Sequence, residues 1–241
     1  MASLVMVVSG ANVWTMKNAK PHPTGFWAEE FVTPHRKFTE AGLKVTVASP
    51  GGVAPTVDPL SFNLAYNSND ANKVQEQQSY MKQLGSALTS PMRVEDIDPD
   101  RFDVIFLVGG HGPMQDMAVH PTTGGVLVAM LDNAKKLVAA VCHGPAGLLL
   151  ASRPDGTWAL KDRQLTGFDH EWRLDHLKSG KVAGATRLLG LQPGQRFFSM
   201  CYFSDIARSA VNGAAPKLTL KRLHHTETAR YFDKSTSGLR V

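Results

Sequence analysis

The residues best placed to do chemistry sit where an apolar run stops. Leu137 to Val141 reads as a buried strand, Cys142-His143 follows at once, and Gly144 to Leu150 restarts as a helix-like stretch. A reactive side chain at a strand-to-helix turn projects from the carboxyl end of a sheet, and N–H groups at the helix start can stabilise a thiolate or an oxyanion. The small residues Gly144, Ala146 and Gly147 let such a turn pack closely. Free cysteine is also among the most buried residue types, so plain packing is the competing reading. Position at the strand end and the adjoining imidazole favour a nucleophile.

A thiol nucleophile needs a partner that sets its proton balance. His111 lies between glycines in Gly109 to Gly112, after another apolar run, and stands out over His22, His35 and His120. Glu29 and Glu30 open a helical stretch, where a carboxylate meets the helix dipole favourably. Adjacent helical side chains diverge by about 100°, so at most one of the two faces a cleft. Asp169 and Glu171 follow the strand-like Gln164 to Phe168, and either can orient an imidazole as the third member of a triad. Helix-start acids and exposed acids also serve stability alone.

These candidates need a sheet to gather them. Leu4 to Val8, Lys44 to Ser49, Phe102 to Val108 and Leu137 to Val141 read as buried strands, each closed by Gly, Pro, Ser or the cysteine. Phe26 to Ala41 and Gly125 to Ala134 carry helical patterns between them. Strands alternating with helices argue for a parallel sheet covered on both faces, with the site outside the carboxyl ends of the strands. Residues 53 to 100 are more polar, their acidic cluster Glu95 to Asp100 reads as a solvated loop or helix start, and no chemistry is assigned there.

The chain has 241 residues, enough for one α/β domain with a full core. Cys142 and Cys201 are too few for a disulfide framework and form no C-x-x-C pair, so structural zinc is not expected and a reducing cytoplasm is the natural setting. The amino end has no basic region, and its apolar run is too short for a signal core or a membrane span. The formal net charge is +5, yet residues 1–172 hold 14 Lys/Arg against 17 Asp/Glu, whereas residues 173–241 hold 12 against 4. Basicity therefore belongs to the carboxyl part alone. No aromatic ladder or phosphate loop accompanies it, which argues against nucleic acid.

Four ordered strings resemble the ThiJ/PfpI superfamily, relatives of the class I glutamine amidotransferases, in its heat-shock-protein/glyoxalase III branch. They are Thr24 to Glu30 with Pro34, Val108 to Met114 with Asp116, Ala140 to Pro145, and Leu165 to Phe168. The resemblance covers residues 1 to about 172 and implies an α/β, flavodoxin-like three-layer sandwich with a mostly parallel sheet and a nucleophile elbow, as a single domain over residues 1–241. It further implies Cys142 as nucleophile, Glu30 instead of Glu29 as the acid against the thiol, and His143 as partner imidazole. Glu171 would stand behind that imidazole, with Asp169 in reserve. Amides of Gly110 and His143 would form the oxyanion pocket, with His111 at the substrate.

The activity implied is conversion of methylglyoxal to lactate without glutathione, a D-lactate dehydratase type of lyase working through a cysteine hemithioacetal, with no metal or organic cofactor. The implied partners are a small aldehyde and a second copy of the chain, with no nucleic acid and no membrane. Superfamily members also include deglycases, peptidases and isocyanide hydratases that use the same elbow, and a stress-response holding chaperone is the reading from another class. An exposed, low-pKa Cys142 would be prone to oxidation to sulfinic acid. Beyond Trp172 the basic stretch departs from the family pattern, and the charge break coincides with the break in the motifs.

Overall fold

The computed structural model describes residues 1–15 and 21–161. In chain order these form β1 (Ser3–Val7), β2 (Val13–Thr15), β3 (Pro21–Pro23), α1 (Ala28–Glu40), β4 (Lys44–Ser49), α2 (Ala71–Leu84), α3 (Ser86–Thr89), β5 (Met92–Arg93), β6 (Val104–Leu107), α4 (Pro121–Leu131) and β7 (Leu137–Ala140). Five strands make one sheet in the order β5-β4-β1-β6-β7, every pairing parallel, while β2 and β3 form a small antiparallel hairpin.

Two-sided burial explains why the strands are continuous apolar runs. Side chains alternate across a strand. Leu4, Met6 and Val8 therefore join Val104, Phe106 and the α1 residues Phe31, Val32 and Phe38 in one core. Val5 and Val7 turn to the opposite face and pack with Ile105, Leu107 and the α4 residues Leu127 and Met130. The result is the α/β three-layer sandwich that the sequence implied.

With β1 central, the chain adds strands first on one side and then on the other, so the crevice opens between the carboxyl ends of β1 and β6. Half-buried Asp116 ties these ends together. Its carboxylate accepts from the Ser9 hydroxyl at 2.8 Å, from the Gly10 and Ala11 amides at 2.8 and 3.2 Å, and from the Met117 amide at 2.6 Å.

Three details differ from the sequence reading. Helix α4 begins at Pro121, ahead of Gly125, because the His120 ring caps it, Nδ1 accepting from the Thr123 amide at 3.3 Å. The polar stretch 53–100 contains α2, capped by Asp70, whose carboxylate accepts from the Asn72 amide at 2.9 Å. After the elbow the chain runs as a 3₁₀ helix, Gly144–Leu150, with Gly144 pressed onto the Leu107 carbonyl, where a Cβ would collide.

Adjacent glycines in α4 give a test of this packing. A Cβ at Gly124 would run into the Leu150 carbonyl, whereas one at Gly125 meets nothing within 4 Å. Gly125→Ala should stabilise the protein by about 0.5–1 kcal/mol through helix propensity. Gly124→Ala should destabilise it by about 1–3 kcal/mol through overpacking. Urea denaturation midpoints of the two variants check the opposite signs.

Candidate active site

The site is assembled by a backbone-on-backbone contact. Segment Gly25 to Trp27 lies directly on the loop after β6: the Trp27 amide donates to the Gly109 carbonyl at 3.2 Å, and the Gly112 amide donates to the Gly25 carbonyl at 3.0 Å. Gly110 has φ +95°, and a Cβ there would sit 2.5 Å from the Gly25 carbonyl oxygen and 2.6 Å from the Trp27 nitrogen. At Gly109 a Cβ would collide with Glu30 Oε2 and lie 2.6 Å from Cys142 Cβ. Helix α1 starts immediately after Trp27, which brings its first-turn Glu30 over the elbow. Pro34 lies within α1 and removes the N–H that would otherwise bond to the Glu30 carbonyl.

Cys142 itself has φ +53°, a left-handed conformation that L-residues other than glycine adopt at a cost. The Val141 amide donates to the Leu107 carbonyl at 3.1 Å and the Gly144 amide to the Val141 carbonyl at 2.8 Å, so both flanks of the turn are pinned. Cys142 is half-buried, with Sγ 3.2 Å from His143 Nδ1.

Burial pushes the Glu30 carboxyl well above the usual carboxylate range, and the neighbouring Cys142, by its charge and its hydrogen bond, pushes it further. Oε2 is closed to solvent and has no hydrogen-bond partner among the described residues. An unpaired buried carboxyl oxygen favours the protonated form. Burial also raises the Cys142 thiol, against the lowering pull of the Gly110 amide, the Glu30 hydrogen bond and the His143 amide. The thiol is thus half-buried and pushed upward where an exposed, lowered one was expected: desolvation outweighs the donors around Sγ.

Of the two adjacent acids, Glu29 turns outward to Lys73, Nζ to Oε1 2.6 Å, while Glu30 faces the thiol. The amides of Gly110 and His143 both point at Sγ. His111 faces a carboxylate, its Nδ1 3.1 Å from Asp58 Oδ2. Its ring stacks on Trp14 at 5.7 Å and stands 5.2 Å from the His143 ring and 6.1 Å from the His22 ring. Asp169 and Glu171 lie outside the described residues.

Asp58 was missed in the sequence because it sits in the stretch to which no chemistry was assigned. The local signal was there: Asp58-Pro59 opens a capped 3₁₀ turn, Asp58 Oδ1 accepting from the Leu60 amide at 2.9 Å. What no local signal shows is the pairing of Phe26 with Thr56 and Asp58, amide to carbonyl at 2.9 and 2.8 Å, which carries that turn to the cleft. Trp14 and His22 arrive on the β2–β3 hairpin in the same way.

A profile of the DJ-1/PfpI family matches residues 23–182, a span that contains the acid, the glycine loop and the elbow. The chain belongs to the DJ-1/PfpI family. Among family members, a protein named Glyoxalase 3 from Candida albicans is 27% identical over 146 residues, 60% of each chain. A protein of Schizosaccharomyces pombe named as a glutathione-independent glyoxalase is 26% identical over 149 residues, 61% of this chain and 59% of its own length. The match thus spans about 60% of the length of these relatives. The crystal structure of glyoxalase III from Candida albicans superposes with a TM-score of 0.58 over 88% of this chain and 94% of its own, at 20% identity, and shares the fold.

The raised carboxyl has a measurable consequence. Below an unfolded-state value of about 4.3 both states hold the Glu30 proton; above it the unfolded chain loses the proton first, so stability drains away as pH rises towards the folded-state value. Glu30→Gln removes that term. Its melting temperature relative to wild type should climb as pH rises above the unfolded-state value, and a difference that stays flat or falls in scanning calorimetry would contradict the raised carboxyl.

Proposed function

We propose that this DJ-1/PfpI protein converts methylglyoxal to lactate without glutathione. The observation that carries the reading is the half-buried thiol of Cys142 on a positive-φ elbow, with the solvent-closed Oε2 of Glu30 across Gly109 from it and His143 Nδ1 3.2 Å from Sγ. Relatives named as glyoxalases support it.

The chemistry follows from those groups. His143 takes the thiol proton as sulfur adds to the aldehyde carbon; an S–C bond forms, the carbonyl pair moves to oxygen, and that oxygen takes the proton. The amides of Gly110 and His143 face the sulfur and are oriented to stabilise the developing oxyanion. Glu30 or His143 then moves the hydrogen of the hemithioacetal carbon to the neighbouring carbon, converting hydroxyketone to hydroxythioester. Water adds to the thioester, the C–S bond breaks, and lactate leaves with the thiol restored. One methylglyoxal and one water give one lactate, with no net oxidation and no cofactor.

Burial of Glu30 suits this role. A carboxyl raised by burial disfavours two adjacent anions, and its carboxylate form is the stronger base toward the carbon hydrogen once the sulfur is tied up in the hemithioacetal.

Lactate formation from methylglyoxal without glutathione tests the reading. Wild type should turn over, Cys142→Ala should be dead, and Glu30→Gln should lose at least about 10²-fold in kcat. A folded wild type that makes no lactate would refute the proposal.

A further inference from the structure

Converting the hemithioacetal to the thioester takes two proton transfers. One hydrogen goes from carbon to carbon, and one proton goes from the first oxygen to the second. The carbon hydrogen has carriers in Glu30 and His143. The oxygen proton needs its own, and the cleft holds a second imidazole with its own carboxylate.

His111 and Asp58 form that pair. Asp58 is fully buried, whereas a quarter of the His111 side chain is open to the cleft. Asp58 Oδ2 lies 3.1 Å from His111 Nδ1, the Thr24 hydroxyl donates to the same oxygen at 3.3 Å, and the Leu60 amide donates to Oδ1 at 2.9 Å. Burial alone would raise the Asp58 carboxyl; His111, the Leu60 amide and the Thr24 hydroxyl outweigh it and hold Asp58 below the ordinary carboxylate range. Asp58 therefore stays ionised and fixes His111 with Nδ1–H directed at it. Trp14, stacked 12° from parallel, holds the ring plane. Nε2 is thereby left for other work.

His111 is also beside the reacting centre. Its ring is 5.2 Å from that of His143, whose Nδ1 is 3.2 Å from Sγ, and the Asp58 charge is felt at the Cys142 thiol, which it raises. A three-carbon adduct on Sγ extends its second carbonyl about two bond lengths beyond the sulfur-bound carbon. The ionisable groups around the ring are Asp58 from the turn after β4, His22 from β3, His143 after β7, and the Cys142–Glu30 pair.

We propose that His111, oriented by Asp58, carries the oxygen proton of the isomerisation: with Nδ1–H on Asp58, Nε2 accepts the proton of the first oxygen and delivers it to the second oxygen as the carbon hydrogen is removed, so that the first oxygen becomes the thioester carbonyl and the second the hydroxyl. The shuttle is restored at the end of each turnover and no external oxidant or reductant enters. His111 is the catalytic residue in this step, and Asp58 is a positioning residue. The inference rests on the glyoxalase reading above.

Two substitutions test it. His111→Asn keeps an amide donor where Nδ1–H meets Asp58 and removes Nε2; Asp58→Asn keeps the turn and removes the charge. In lactate formation, His111→Asn should lower kcat about 10²-fold, with KM changed less than about threefold on the same grounds. Asp58→Asn should lower kcat about tenfold, with KM changed less than about threefold on the same grounds, because the ring loses the acceptor that fixes its Nδ1–H while the turn stays in place. Alkylation of Cys142, read by mass spectrometry of its peptide, is the control for folding. His111→Asn should retain it within about threefold, and Asp58→Asn should alkylate faster at a given pH, the anion that raises the thiol being gone. Wild-type kcat in His111→Asn, with wild-type lactate formation intact, overturns the shuttle and leaves the glyoxalase reading standing. A wild type that makes no lactate overturns both.

Discussion

Everything in the cleft depends on two lengths of backbone lying closer together than side chains allow. Gly109 and Gly110 touch Gly25 to Trp27 and the elbow at distances where any Cβ would collide. Two hydrogen bonds hold the contact, Trp27 to Gly109 and Gly112 to Gly25. Because α1 begins at once after this segment, the same contact sets the height at which Glu30 meets Cys142. A methyl group at Gly109 would have to displace the carboxyl, the cysteine or the Val141 carbonyl. Substrate-scale geometry is thus fixed by the absence of side chains at two positions, and rigid elements on either side transmit it.

The Gly25 segment is gripped from its other side as well. Phe26 exchanges amide and carbonyl with Thr56 and Asp58, and a Cβ at Gly25 would run into the Thr56 carbonyl. One stretch of extended chain therefore aligns two acids at once, Glu30 through the helix that follows it and Asp58 through the 56–58 segment that bridges to it. Their electrostatic settings diverge. Burial and the neighbouring thiol push the Glu30 carboxyl up despite the Gly110 amide, whereas His111, the Leu60 amide and the Thr24 hydroxyl outweigh burial and hold Asp58 below the ordinary carboxylate range. Burial is common to both, and the groups around each carboxyl decide the direction.

Much of the architecture was legible because period-two burial on both faces leaves uninterrupted apolar runs. Lys44–Ser49 and the strand before Cys142 could be read directly, and the elbow cysteine could be found from the way its strand ends. Helix α4 was read late because Gly124 and Gly125 dilute its pattern, although His120 and Pro121 supply the start signal. The site was legible where its residues lie in motifs, as with Glu30, His111 and the Cys142-His143 pair. Asp58, Trp14 and His22 reach the cleft through non-local pairing, of Phe26 with the 56–58 segment and of β2 with β3, and no local pattern encodes which strand they will meet.

The thiol's raised pKa also follows from this arrangement and has a bearing on how such a site works. A cysteine surrounded by donors is ordinarily expected to ionise, yet here the Gly110 and His143 amides and the Glu30 carboxyl do not offset desolvation. Those donors face a sulfur that burial keeps from ionising readily. Preorganised dipoles of that kind stabilise negative charge when it appears on sulfur or on an attached oxygen, without reorganising at that moment. A neutral resting thiol is a poorer target for oxidation, since oxidation follows thiolate character and exposure. The same burial that places Glu30 against Cys142 therefore raises both groups, and the amides around the sulfur lower the thiol only in part.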